Sequence, residues 1–168
     1  FLSVFAQAQA SNWVQEVFAK VVPGFGIASG KARDDRFPHG SVAEQMPHFR
    51  TLGLNLHTLH YGTINLDIHP CSFELLSPEH YFPGVKWTEH LPPENFSFFP
   101  CQLTPCECPS ASSVDAYVYW PHPSTKPEFF QSPTVLEIIA PFIPLIDYGS
   151  TLKLKASNNS MRFLNASW

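Results

Sequence analysis

Seventeen prolines punctuate this chain, in clusters such as Pro92-Pro93, Pro121-x-Pro123 with Pro127, and Pro141 with Pro144. A proline inside a helix removes a backbone donor and crowds the preceding turn, so such spacing permits only short helices and favours strands joined by loops. Between the prolines several segments alternate as strands do. Ile64, Leu66 and Ile68 alternate with Asn65 and Asp67, and Thr151 to Lys155 alternates cleanly. Ala116 to Trp120 mixes aromatic and β-branched residues, and Val135 to Ile139 is nearly continuous apolar sequence interrupted by Glu137. Short strands separated by Pro, Gly and Ser are the pattern of an all-β barrel or sandwich.

Trp13 to Val22 fits helical spacing through Val14, Phe18 and Val22, but its β-branched content and the following Pro23-Gly24 favour a strand. One helix is expected from Ser41, where Ser41-x-x-Glu44 has capping-box spacing and Gly53 can close the element after Leu52. Pro47 should leave it short or broken. Ser72 to Pro100 reads as loops with a strand or two, and Cys106 to Ser113 as loop. No internal repeat is present. The expected organisation is an N-terminal extension over 1–12, one barrel domain over 13–157 and a tail over 158–168.

A chain of 168 residues with 44% hydrophobic and 14% charged residues can bury a real core as one globular domain. A formal charge of −4 with ten Lys and Arg supplies no cationic footprint for nucleic acid. No apolar run approaches the roughly 20 residues that a membrane-spanning helix needs. Phe1 to Ala8 has a faint likeness to the end of a signal peptide, but without an initiator Met or a positive n-region it reads as an extension, and a cytoplasmic protein is expected. The cysteines are Cys71, Cys101, Cys106 and Cys108. Cys-x4-Cys-x-Cys is not the usual C-x2-C zinc spacing, so free thiols are favoured over a metal site or a disulfide.

Three segments carry candidate chemistry. Gly24-Phe25-Gly26-Ile27-Ala28-Ser29-Gly30 follows the first strand; its glycines allow amides to converge on phosphate oxygens, but taken alone the segment is better explained as an ordinary glycine-rich turn between strands. It is neither a Walker A loop nor, without a βαβ unit, a Rossmann turn. In Gly62-Thr63-Ile64-Asn65, Thr63 and Asn65 are two apart, so on a strand their oxygens face one side. Two neutral oxygens suit Mg²⁺, which takes most of its negative charge from phosphates; solvent-facing polar residues on a half-buried strand are the alternative. Glu137, amid apolar neighbours, must reach solvent, pair with a partner or face a polar pocket. His57, His60, His69 and His90 show no metal-binding spacing and read as surface and loop residues, and no Gly-x-Ser-x-Gly elbow occurs.

In this order the segments resemble the archaeal-type, CTP-dependent riboflavin kinases. Val21 to Ala28 is similar to that family's strand and Gly-x-Gly-x-Gly loop, with Ala28 in place of the third glycine. Phe49 to Leu54 resembles its Leu-Gly turn, Gly62 to Leu66 its Gly-Thr-Leu-Asn-Val, Phe98 to Leu103 its aromatic-Pro strand and Tyr117 to Pro121 its Val-Val-Arg-Pro strand. Val135 to Pro141 matches its Val-Leu-Glu-Ile-Ile-Ala-Pro almost letter for letter. The resemblance, running from about Phe18 to Leu154, implies a six-stranded Greek-key cradle-loop barrel with one or two short helices. It implies transfer of phosphate from a nucleoside triphosphate, CTP by preference, to riboflavin to give FMN. Gly24, Phe25, Gly26, Ile27 and Ala28 would hold the nucleotide, Thr63 and Asn65 the Mg²⁺, and Thr125 and Glu137 the flavin. The stretch from Pro121 to Thr134 is longer than the family's, and Thr125 is matched only by position. Phe142 to Ser150 is shorter and lacks the family's arginine, and Trp120 replaces another. A barrel that keeps the pocket but binds a different small ligand is the competing reading.

Overall fold

The computed structural model describes residues 15–165. The extension over 1–12 and the last residues of the tail lie outside that range. Nine strands and one helix follow in the order β1 Gln15–Val22, α1 Ser41–Thr51, β2 Ile64–Asp67, β3 Ser72–Leu75, β4 His80–Val85, β5 Glu94–Pro105, β6 Val114–Pro121, β7 Val135–Ile139, β8 Thr151–Ala156 and β9 Met161–Leu164. The expected all-β barrel is present. Strands run β5-β6-β7-β2-β1-β8, and β8 pairs back onto β5, closing six antiparallel strands on themselves. Closure leaves no edge among these six strands.

The ambiguous first segment is a strand whose Val17, Ala19 and Val21 face inward, pairing with β8 on one side and β2 on the other. Alternation predicts the barrel filling: Leu66, Leu103, Val118, Leu136, Ile138, Leu152 and Leu154 are fully buried in one cluster. β5 is long enough to serve twice. Its C-terminal half pairs with β8, and its N-terminal half extends past the barrel and takes β4 as a seventh strand. Ser72 to Pro100 therefore holds more strand than its Pro and aromatic content suggests, because pairing is supplied by partners distant in sequence. The extended part of β5 and β6 carries a second core, in which Phe49, Val42 and Phe37 pack on Phe96, Phe98 and Tyr119.

Helix α1 differs from its sequence signature at its start. Gly40, with φ of 92°, is the N-cap, and no side chain caps the helix. Ser41 N–H donates instead to Ile27 C=O at 3.0 Å and Val42 N–H to Ala28 C=O at 3.3 Å. The loop backbone satisfies the orphan donors that a capping box would otherwise take. A side chain at Gly40 would collide with Ala28 C=O, which is why glycine stands there. The far end behaves as expected: Gly53 is left-handed, Leu54 N–H bonds Phe49 C=O at 2.9 Å and Gly53 N–H bonds Arg50 C=O at 3.1 Å, a Schellman closure. Pro47 lies inside the helix without ending it.

The segment read as a C-terminal tail contains β9, which pairs with β3 in a separate two-stranded sheet and buries Met161 against the barrel. Its short apolar pattern gains meaning only from β3. All four cysteines are free thiols, Cys101 buried and Cys106 exposed. Among the described residues no helix is long and apolar enough to cross a membrane.

Candidate functional site

The end of β1, the start of β2 and β7 are neighbours, with Val22 opposite Asn65 and Asn65 opposite Glu137. This row of three side chains forms one wall of a cavity of about 550 Å³, roofed by the loops after β1, after β6 and after β7. That volume suits a ligand of cofactor size. Gly24 to Ser29, Thr63, Asn65, Glu137 and Phe142 to Tyr148, apart from Pro144, all contribute to its lining. Three segments far apart in sequence thus meet at one site.

Glu137 does not point to bulk solvent. Thr63 Oγ1 donates to its Oε1 at 3.3 Å, and Lys126 Nζ lies 3.6 Å from Oε2. Burial pushes its carboxyl above the ordinary range, while Lys126, Thr63 and Gln131 pull it back down. Gln131 Nε2 donates to Asn65 Oδ1 at 3.1 Å, and because Asn65 is the cross-strand neighbour of Glu137, this pair lies beside the Thr63, Glu137 and Lys126 group in one polar patch. Thr63 and Asn65 do share a face, as their spacing requires. Their oxygens beside the Glu137 carboxylate make an all-oxygen donor set suited to a hard divalent cation. Among the described residues no group of three His, Cys, Asp or Glu side chains could hold a metal. A cation here would therefore draw on Thr63, Asn65 and Glu137, with ligand oxygens or water completing its shell.

The glycine loop lies against this wall. A Cβ at Gly24 would sit 2.9 Å from Asn65 Cγ and 3.1 Å from Oδ1, and closer still to Nδ2. Gly26 is left-handed at φ of 78°. Among the described residues, the N–H groups of Gly24 to Ser29 donate to no protein acceptor. Unpaired amides at a cavity wall are the arrangement that receives anions. Lys31 and Lys126 supply the cavity's two ammonium groups. Phe129 and Leu145, both lining the cavity, hold left-handed backbone at φ of 61° and 64° without being glycine. Such strain concentrates where loops are held for a ligand.

Thr125 is placed differently. Its hydroxyl accepts Asn95 N–H at 2.9 Å and donates to His122 C=O at 3.2 Å, and it does not line the cavity. It fixes the turn that delivers the next residue, Lys126, to Glu137. Phe142 to Ser150 presents Phe142, Leu145 and Tyr148 as exposed apolar side chains at the mouth. His60, read as a loop residue, does sit in a loop, but its ring lies at that mouth 6.1 Å from Phe142.

Sequence reading missed Lys126, Gln131 and a second lobe formed by Phe37, Gln45, Trp87, Glu94 and Tyr119. Lys126 and Gln131 sit in a proline-rich loop with no periodic pattern, and nothing local marks them. Trp87 and Glu94 are polar-tipped residues in a segment dense with aromatics, a signal that becomes readable only once the loop between β4 and β5 brings them together. No protein-family model matches this chain, and no curated protein matches it.

Proposed function

We propose that this chain is a riboflavin kinase-like phosphotransferase acting on a flavin with a nucleoside triphosphate, CTP by preference, and Mg²⁺. The observation that carries the reading is the convergence of Thr63, Asn65 and Glu137 on one cavity wall beside a loop with unpaired amides. Phosphoryl transfer needs little covalent help from protein; positioning and charge neutralisation supply most of the rate. In this reading Thr63 and Asn65 would hold the cation, which would supply charge neutralisation for the phosphates. The amides of Gly24 to Ala28 hold the nucleotide, and Glu137 orients the hydroxyl of the ribityl chain. That hydroxyl oxygen forms the new bond to the terminal phosphorus as the bridging oxygen leaves with the nucleoside diphosphate, and the hydroxyl proton is released to solvent. Lys126 and Lys31 are the cavity's cationic side chains available to offset phosphate charge. A cytoplasmic site of action goes with this substrate set.

The test is conversion of riboflavin to FMN by purified protein with each of the four nucleoside triphosphates, with and without Mg²⁺. Turnover that requires Mg²⁺ and is abolished by Asn65→Ala supports the proposal. A protein that neither binds flavin nor consumes any nucleoside triphosphate overturns it.

The apolar, arginine-free segment over 142–150 favours a second reading, a barrel that binds a small ligand without catalysis. Thermal shift against nucleotides, flavins and sugar phosphates would then find a ligand whose binding Gly26→Val abolishes. Indifference to that substitution would remove the glycine loop from the site.

A further inference from the structure

The second lobe of the cavity is lined by aromatic residues around Glu94. Glu94 is 4% exposed, yet it lines the cavity. Its Oε2 accepts the Trp87 indole N–H at 2.7 Å. Among the described residues no protein donor reaches Oε1, and no buried polar side-chain atom is both sealed from solvent and unpartnered. Oε1 therefore borders the cavity. The surrounding walls are Phe37, whose ring lies 5.0 Å from that of Trp87, with Leu91 and Tyr119. Tyr119 donates its hydroxyl to Gln45 at 2.7 Å, so it offers the lobe its ring rather than a free donor.

A desolvated carboxylate oxygen in an apolar slot is costly unless a donor meets it. Trp87 satisfies one oxygen and holds the carboxyl in a fixed orientation; the other is left for a ligand. Flat apolar walls accept a planar ring, and an acceptor at the end of the slot selects a ring carrying an N–H on its leading edge. We propose that Glu94 is the specificity-determining residue for the ring end of the ligand, accepting an N–H from a planar heterocycle seated against the surface that Phe37, Trp87, Leu91 and Tyr119 form. The phosphate-bearing or hydroxylated end of the same ligand lies towards Asn65 and Glu137. The choice of flavin as first probe rests on the function proposed above; the N–H requirement does not.

The experiment compares riboflavin with N3-methylriboflavin, which lacks the ring N–H, using quenching of flavin fluorescence on the wild-type protein and on Glu94→Gln. Pterin, guanosine and uridine are titrated in parallel by calorimetry. A hydrogen bond to a charged group contributes about 1.5–3 kcal/mol, so Glu94→Gln should weaken riboflavin roughly 10- to 100-fold and N3-methylriboflavin far less. The wild-type comparison needs no variant, and should show riboflavin bound at least about tenfold more tightly. Equal loss of both flavins in Glu94→Gln marks a merely structural effect and overturns the proposal, as does riboflavin binding indifferent to the substitution; in both cases the flavin reading survives. If no flavin binds but another N–H heterocycle does, and Glu94→Gln weakens it, the Glu94 assignment stands and the flavin reading falls. Binding of none of these rings overturns both.

Discussion

Gly24→Ala tests the contact between the glycine loop and the candidate cation site. Gly24 lacks left-handed backbone, so alanine fits its conformation, and its effect comes from the added methyl alone. That methyl would overlap the Asn65 carboxamide, which lies 9% exposed between Gly24 and Gln131. The carboxamide must rotate away, breaking the 3.1 Å bond from Gln131. Loss of that bond costs about 1 kcal/mol, and an off-rotamer side chain about 0.5–1.5 kcal/mol. The stiffer unfolded chain returns about 0.4–1 kcal/mol. The net expectation is a loss of roughly 1 kcal/mol in urea unfolding. In an Asn65→Ala background the atoms that collide are gone, so Gly24→Ala should become neutral or stabilising. The double-mutant cycle should therefore show a coupling of about 1–2 kcal/mol. The side-chain amide resonances of Asn65 and Gln131 should move together in Gly24→Ala. A coupling near zero, with those resonances unmoved, would refute the contact.

Glu137 has a raised folded-state pKa, so its contribution to stability is present below its unfolded value near 4.5 and is lost as pH rises through the folded value. Glu137→Gln removes that loss, and its Tm relative to wild type should climb between pH 4 and pH 7; a difference independent of pH would contradict the burial. Phe49 is fully buried, with its ring 5.0 Å from both Phe96 and Phe98, so Phe49→Ala should cost about 3–5 kcal/mol in urea unfolding. A loss under about 1 kcal/mol would mean that α1 does not pack on β5 as described. Cys101 is buried with its thiol pKa pushed up by desolvation, whereas Cys106 is exposed, so a thiol reagent should label Cys106 in the native protein and Cys101 only after unfolding. Rapid native labelling of Cys101 would argue against a closed barrel.

The sequence alone determined the local decisions. Alternation at Ile64 to Asp67 and Thr151 to Lys155 specifies strands because side chains on a strand repeat every two residues. Gly53 closes the helix because its neighbours' unpaired carbonyls require a left-handed residue. Thr63 and Asn65 share a face for the same two-residue reason. Tertiary structure decided everything that depends on register. Thr63 and Glu137 are 74 residues apart, and only antiparallel pairing of β2 with β7 brings their side chains within 3.3 Å. Ser41 and Glu44 have capping-box spacing, yet the loop carbonyls of Ile27 and Ala28 claim the helix start, a competition no local pattern reveals. Lys126 and Glu94 join the cavity for the same reason that Thr125 does not. Loops without periodicity carry no record of direction, and their side chains are oriented by the barrel wall they fold against.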